Sequence, residues 1–333
     1  MALEKFANLL RIGNKIYQAT KYVLGKLPKD YVPPKSEAKT GKETLPERWI
    51  LHKFNAATQG VHNALEAREF SRASQIIYQY WLEFLCDVYI ENSKVIIQDG
   101  TPEEQKSAVD TLYTALEGGL KLIHPFMPFV SEELWQRLPR RPDDKTPSIM
   151  VASYPTYRED FRDDEATEKY SLLLDCAGGI RSLAAEFVVK QGGKAFIVTS
   201  DATQHALVES EIVQIRALAT KAISSITIAK DTSSIPLGSA VFTASSTITV
   251  FLDVAETVDA TLIAKTKEKL AKAADTAAKQ RKLVEGPDWL ERSSEAIREQ
   301  EYAKLAAAEA ATKNLEETVA QFEKLTLKSA GGQ

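Results

Sequence analysis

Cysteine and histidine are both scarce in this chain: 333 residues contain two cysteines and four histidines. Cys86 and Cys176 stand far apart, each inside a helical pattern. A disulfide framework and a Cys/His metal site are thereby excluded, and reduced, buried thiols of a cytoplasmic protein are expected. Long apolar runs are missing as well. Nowhere do about eighteen apolar residues follow one another, as a membrane-spanning helix requires, so no membrane partner is expected. The opening residues, Met1-Ala2-Leu3-Glu4-Lys5, have no apolar core of the kind a secretory signal needs. No G-x-x-x-x-G-K run follows a strand pattern. Gly178-Gly179 therefore reads as a close-packing or bend site and not as a phosphate loop. His124 has no second His, Asp or Cys at a useful spacing, so a packing role is expected and neither a catalytic residue nor a metal ligand is indicated.

What is present is ordinary in amount and uneven in placement. A hydrophobic fraction of 44% supports normal cores, and the length accommodates two or three domains. The net charge of −4 argues mildly against a nucleic-acid partner until its distribution is read. Residues 1–53 carry 11 Lys and Arg against 5 Asp and Glu, whereas residues 54–175 carry 12 against 21. The basic excess is concentrated in the first segment, where it could be an electrostatic footprint or a solvated helix face.

In chain order, Phe6, Leu9, Leu10, Ile16, Tyr17, Val23, Leu24 and Leu27 recur at helical spacing over residues 3–27, with Lys5, Arg11, Lys15, Lys21 and Lys26 opposite. Pro28 ends this helix. The loop that follows exceeds about 12 residues, a length that signals function or disorder. A second helix is expected from Pro46, within the run Leu45-Pro46-Glu47-Arg48-Trp49, to about Glu69. A third is expected over Arg72–Glu91 with an apolar stripe suited to a bundle core, continued by Lys94–Ile97 before Gly100. Thr101-Pro102-Glu103-Glu104 is a complete helix start, with cap, proline and first-turn acids in place.

Residues 139–165 read as a connector with one extended piece at Ser148–Ser153. A strand at Ala195–Thr199, a helix at Ala202–Thr220 and strands near Ser225–Ala229, Ser239–Thr243 and Thr247–Leu252 then suggest a small α+β domain. The last segment reads as an antiparallel helical hairpin turning at Gly286-Pro287, with Asp288 as cap. Leu305, Ala308, Thr312, Leu315, Val319 and Phe322 form a coiled-coil seam. That turn would pair Leu270 with Ala303 and leave Phe322 to dock on the α+β domain, with the arm projecting about 40 Å. The expected fold is mainly α: a helical bundle over 1–145, a connector strand and small α+β domain over 146–256, a two-helix coiled coil over 257–328 and a disordered tail over 329–333.

Arg48, Trp49 and Lys53 place a flat ring beside two cations, which suits an unpaired nucleotide; the alternative is that Trp49 staples the helix start to the core. Four runs occur in order: Asn14-Lys15-Ile16-Tyr17-Gln18-Ala19-Thr20-Lys21-Tyr22, Leu45–Asn55, Tyr80-Trp81-Leu82-Glu83-Phe84-Leu85-Cys86-Asp87, and His124-Pro125-Phe126-Met127-Pro128-Phe129-Val130-Ser131-Glu132-Glu133-Leu134-Trp135. Together they resemble the anticodon-binding bundle of class I aminoacyl-tRNA synthetases. The last run is similar to the valine, isoleucine and leucine branch, and the terminal two-helix arm behind a small α/β domain resembles the valyl enzymes.

The resemblance implies a tRNA-recognition role. Asn14, Lys15, Arg48, Trp49 and Lys53 would meet the anticodon loop, with Trp49 stacking on a base. Lys265, Lys269, Lys272, Lys279 and Arg281 of the arm would lie along the tRNA elbow. The family's H-I-G-H and K-M-S-K-S motifs and its editing insertion do not occur in these residues. Catalytic and editing domains are therefore expected upstream, together with the ATP site. This chain alone, with no metal or cofactor of its own, is expected to hold a valine-accepting tRNA, as a monomer, without activating valine. On this basis Trp49→Ala would weaken tRNA binding about ten-fold with the fold intact. Deleting 257–333 would weaken binding of all tRNAs alike. A helical scaffold whose arm binds proteins, or the isoleucyl or leucyl relative, are the alternatives.

Overall fold

Two helices begin with the same local chemistry. The Glu47 carboxylate accepts a hydrogen bond from the Thr44 backbone N–H (3.0 Å), and Glu104 does the same for Thr101 (2.8 Å). Each satisfies a backbone donor that the helix itself leaves unpaired. In the computed structural model, residues 2–37, 39–258, 260–286, 289 and 295–330 are described; the side chains of residues 2–11, among them Lys5, Phe6, Leu9, Leu10 and Arg11, lie outside that description. Contacts divide the chain into two units, residues 1–171 and 172–333.

The first unit is the expected helical bundle. It comprises α1 (Ala2–Lys26), α2 (Leu45–Glu66), α3 (Phe70–Gln79), a π-helical segment (Tyr80–Tyr89), α4 (Ile90–Asp99), α5 (Pro102–Ile123) and α6 (Pro128–Gln136). The third helix continues to Gly100 as expected but is less regular than its pattern indicated: α3, the π segment and α4 run on without a break. In the π segment the buried side chains are Tyr80, Trp81, Leu85 and Tyr89, a spacing that fits the wider turn. Three of them reach α5 with polar atoms. Tyr80 Oη donates to the Ala115 carbonyl (2.8 Å), Trp81 Nε1 to the Gly119 carbonyl (3.1 Å) and Tyr89 Oη to the Ala108 carbonyl (3.4 Å). Gly119 makes room for this approach, since a Cβ there would lie 3.0 Å from Trp81 and Tyr80; a Cβ on Gly118 would strike the Phe54 ring of α2.

The connector differs from expectation. Residues 146–171 belong to the first unit, and Ile149–Val151 is a short 3-10 turn where an extended piece was expected. Glu132 bends the chain there by accepting from Ser148 Oγ (2.8 Å) and the Ile149 N–H (3.0 Å). Further on, the Asn55 amide exchanges two hydrogen bonds with the Arg158 backbone (2.7 and 2.8 Å), tying the connector to α2. His124 Nδ1 meets Ser131 Oγ at 2.7 Å, in keeping with a packing role.

Helix α7 (Asp164–Glu186) gives its first residues to the first unit and the remainder to the second. The second unit has a four-stranded sheet in the order β2-β1-β4-β3, made of β1 (Gly193–Thr199), β2 (Ile223–Ala229), β3 (Ser239–Thr243) and β4 (Ile248–Asp253). β1 and β2 are parallel, joined through α8 (Ala202–Ser210) and α9 (Ile212–Leu218); β4 pairs antiparallel with both β1 and β3. The single helix expected over 202–220 is two, because Glu211 leaves the helical conformation (φ −108°, ψ 18°). Gly179 is a close-packing site as expected, since a Cβ there would enter the Phe242 ring.

The unit is completed by α10 (Ala260–Val284) and α11 (Glu295–Ala330). Arg281 pairs with Glu309, and Lys267 Nζ lies 2.6 Å from Glu323, so the two helices run antiparallel. These pairs correct the expected register, placing Leu270 opposite residues well beyond Ala303. Pro287 and Asp288, the expected turn and cap, lie outside the described residues, as does 331–333; α11 runs through 329 and 330, where a tail was expected.

Phe322 docks as expected, fully buried with its ring edge-on to Phe187 (5.8 Å). Beyond that expectation, α11 caps the open edge of β3. The Val241 N–H donates to Thr318 Oγ1 (3.0 Å) and the Thr243 N–H to Asn314 Oδ1 (2.8 Å). A sheet edge with unpaired N–H groups is otherwise a template for aggregation. Thr318→Val should therefore lower stability by about 1–3 kcal/mol, because the Val241 N–H is stranded in a buried site; an unchanged urea midpoint would contradict this. For the same reason, deleting 257–333 uncovers the β3 edge and Phe187, so it is not a clean test of RNA binding.

Candidate nucleic-acid interface

The basic stretch at the start of α2 divides into two faces. Trp49 and Lys53, one turn apart, turn toward Phe84 of the π segment; Arg48 and His52 turn toward Asp163. Trp49 is 1% exposed. Its ring lies 4.7 Å from Tyr170 and edge-on to Phe84 at 5.7 Å. This corrects the expectation of a stacking platform: neither face of the indole is open to a base, and the residue is a core anchor.

Lys53 spreads over the Phe84 ring (5.3 Å), and burial lowers its pKa. On α1, Lys15 Nζ is 3.2 Å from Asp87, one turn beyond Phe84, while Asn14 is exposed. Lys15, Trp49 and Lys53 thus gather around residues 84–87, with only the cations reaching solvent. Arg48 is held elsewhere, 3.5 Å from Asp163, which Lys39 also meets at 3.5 Å. Burial opposes ionisation of Asp163, yet the Ala166 N–H and the Arg48 and Lys39 cations keep its carboxyl below the ordinary value.

The loop before α2, flagged only by its length and charge, forms the wall of a cleft of about 380 Å³. Lys39, Thr40 and Lys42 face Glu103, Lys106 and Asp110 of α5 across it. Its volume falls within the range of small-molecule sites. Glu43 folds the loop tip, accepting from Thr40 Oγ1 (2.8 Å) and the Gly41 N–H (3.0 Å), with Gly41 at φ +81°. At the base of the loop, Arg141 is 9% exposed. It donates to Glu117 (2.8 Å) and to the Pro34 carbonyl (2.8 Å). One ion pair bridges the cleft, Lys42–Glu103 (3.6 Å), and a second, Lys106–Asp110 (2.5 Å), lies within α5; each involves a well-exposed lysine. Such surface pairs contribute little stability and open readily to a phosphate. No spacing in the sequence marks Arg141 or Asp163; their partners are distant in the chain.

His52 adds a pH dependence. Its Nδ1 accepts the Asp163 N–H (2.8 Å), which requires a neutral ring, and burial with Lys53 alongside lowers its pKa. The unfolded chain binds this proton more readily, so stability present above the ordinary histidine value should fall as pH drops below it. Urea midpoints between pH 7.5 and 5 should show that loss, and His52→Asn, whose amide oxygen accepts in place of Nδ1, should flatten it.

In the second unit the predicted arm cations sit on α10. Lys269 pairs with Glu186 (2.9 Å), Lys272 with Glu268 (2.7 Å), Lys279 with Asp275 (2.6 Å) and Arg281 with Glu309. Lys265 is exposed and makes no ion pair among the described residues. The four pairs lie at the surface and are exchangeable for a polyanion.

Residues 47–199 match the family described as the anticodon-binding domain of tRNA ligase. The chain is 40% identical over 315 residues to the mitochondrial valine–tRNA ligase of Saccharomyces cerevisiae, a match covering 94% of this chain and 28% of that protein. To the human valine–tRNA ligase it is 32% identical over 94% of its length and 25% of the relative, and to that of Schizosaccharomyces pombe 43% over 62% and 21%. The chain spans about a quarter of the length of these curated relatives. Among the described residues no helix is long and apolar enough to cross a membrane, and no cluster of His, Cys, Asp and Glu is arranged to hold a metal.

Proposed function

The chain belongs to the valine–tRNA ligase family, and from that premise we propose that its two units hold a valine-accepting tRNA for aminoacylation by a complete enzyme. The first unit would take the anticodon loop and the second the elbow. The observation that carries this reading is the anticodon-binding match at 47–199 on a bundle with a basic, cleft-forming loop beside it. Lys39 and Lys42 of that loop join Asn14, Lys15, Arg48 and Lys53 as the groups that meet phosphate and base edges; Trp49 supports them from the core.

Valine activation, with its ATP, would belong to catalytic and editing parts of a complete enzyme. The residues here contribute binding energy that aligns the acceptor end with a remote active site. The chain by itself is expected to show no valine-dependent exchange of pyrophosphate into ATP. The free thiols Cys86 and Cys176 fit a reducing compartment such as the cytoplasm; the chain is expected to be a monomer, which a single sedimenting species would support.

The test is equilibrium binding of unmodified tRNA transcripts. A valine tRNA transcript should bind more tightly than an isoleucine one, and transplanting the valine anticodon should carry most of the preference. Lys39→Glu with Lys42→Glu should weaken it about ten-fold and make the salt dependence shallower. Equal binding of all transcripts would defeat the anticodon reading, and an isoleucine preference would reassign the chain within its branch. Binding insensitive to salt would point to an apolar protein partner.

A further inference from the structure

At one end of the sheet in the second unit, several elements converge. The α7–β1 loop carries Lys190-Gln191-Gly192-Gly193-Lys194, and β1 and β2, being parallel, both start there, with Gly193 opposite Ile223. Lys221 precedes β2, and the Ala222 carbonyl accepts the Gly193 N–H (2.9 Å). β4 ends there at Asp253, since Leu252 pairs with Ala195. Lys190, Lys194 and Lys221 are exposed and make no ion pair among the described residues, whereas Lys269 nearby on α10 is held by Glu186. A cleft of about 450 Å³ opens between the loop and Asp253, Val254 and Glu256.

The loop is shaped by its backbone. Two residues past the end of α7, Val188 is at φ +54°, with the N–H groups of Val188 and Val189 returning to the carbonyls of Ala185 and Ala184. This is the αL turn that normally takes glycine, here carried by an exposed β-branched residue. Gly192, at φ +75°, reverses the chain again, so Lys190 and Lys194 flank a tight turn at the rim of the cleft.

We infer that this end of the sheet is a second RNA-backbone site, in which Lys190, Lys194 and Lys221 take phosphates and Asp253 and Glu256 accept from ribose hydroxyls. The mixed charge selects the ligand class. Three cations without ion-pair partners attract a polyanion, while carboxylates beside them repel bare phosphate and suit the 2′-hydroxyl, a donor that DNA lacks. Lys265, one turn before Lys269 on the same face of α10, continues the cationic line onto the arm. The inference rests on the tRNA-binding reading and extends it from the arm to the sheet.

The test uses the full chain, a valine tRNA transcript and its all-DNA counterpart. Lys190→Glu with Lys194→Glu should weaken the transcript about five-fold or more and reduce the salt slope by about two. Lys230→Glu is the control. This lysine is equally exposed and makes no ion pair among the described residues, but it follows the far end of β2; its replacement should change binding less than two-fold. Glu256→Ala should narrow the preference for RNA over DNA. If wild type binds the transcript and the double variant binds like Lys230→Glu, the site is refuted while the anticodon reading stands. If wild type does not bind the transcript, both fall.

Discussion

Trp49→Ala should lower the stability of the first unit by about 3–5 kcal/mol, the usual cost of emptying a buried aromatic site. The indole is 1% exposed and joins three elements: α2 that carries it, the π segment through Phe84, and the start of α7 through Tyr170. Asn92, fully buried on α4, hydrogen-bonds the Tyr170 hydroxyl, so loosening Tyr170 would disturb a second buried polar group. A small domain has about 5–15 kcal/mol in all, so the variant should be partly unfolded at 37 °C. Trp49→Phe, which keeps a ring between Phe84 and Tyr170, should lose much less. Urea unfolding followed by far-ultraviolet circular dichroism measures both. An unshifted midpoint with tRNA binding reduced ten-fold would restore Trp49 to the RNA surface.

Arg141→Met should be nearly as damaging, by a different route. The guanidinium pairs with Glu117, itself 2% exposed, and holds the loop before α2 through the Pro34 carbonyl. Removing one partner of a buried ion pair costs about 3–5 kcal/mol, because the remaining charge keeps its desolvation penalty. Lys121, 3.1 Å from Glu117, recovers part of that loss. Adding Glu117→Leu should restore most of the stability, since an apolar pair of similar volume no longer buries a charge. The loop would stay loose, because no side chain then reaches Pro34. Proteolysis at Lys35, Lys39 and Lys42 should therefore remain fast in the double variant even though its unfolding midpoint recovers. Slow cleavage there would mean that the loop is held by Glu43 and by Tyr31, whose hydroxyl donates to Asp110 (2.9 Å), and not by Arg141.

Helix starts were legible because they are local. Thr101-Pro102-Glu103-Glu104 carries its cap, proline and returning carboxylate within four residues, and the structure starts α5 there. Strand positions in the second unit were legible from alternation within short runs. Phe322 does dock, but not for the reason counted: a turn at Gly286-Pro287 would put it beyond the first helix, whereas the Lys267–Glu323 pair sets it alongside α10. The π segment was read as ordinary helix, because apolar spacings of four and five blend into a wide α-helical stripe.

The candidate interface was half legible. An excess of Lys and Arg before residue 54 suits a polyanion partner or a solvated face alike, because exposure is a property of the folded surface, and charge count cannot say which side chains reach it. Trp49 illustrates the limit. Its neighbours in sequence are Arg48 and Lys53, while its neighbours in space are Phe84 and Tyr170, thirty-five and more residues away. Family membership, the mainly helical bundle with a small α+β unit, and the basic bias of the first segment were set by the sequence alone, because motif order, periodicity and charge are written along the chain. Only the tertiary structure decided that the indole is core, that Arg141 anchors the basic loop, that α11 covers the β3 edge and that Lys190, Lys194 and Lys221 share one end of a sheet. Each depends on packing between residues far apart in sequence, and burial is determined by that packing.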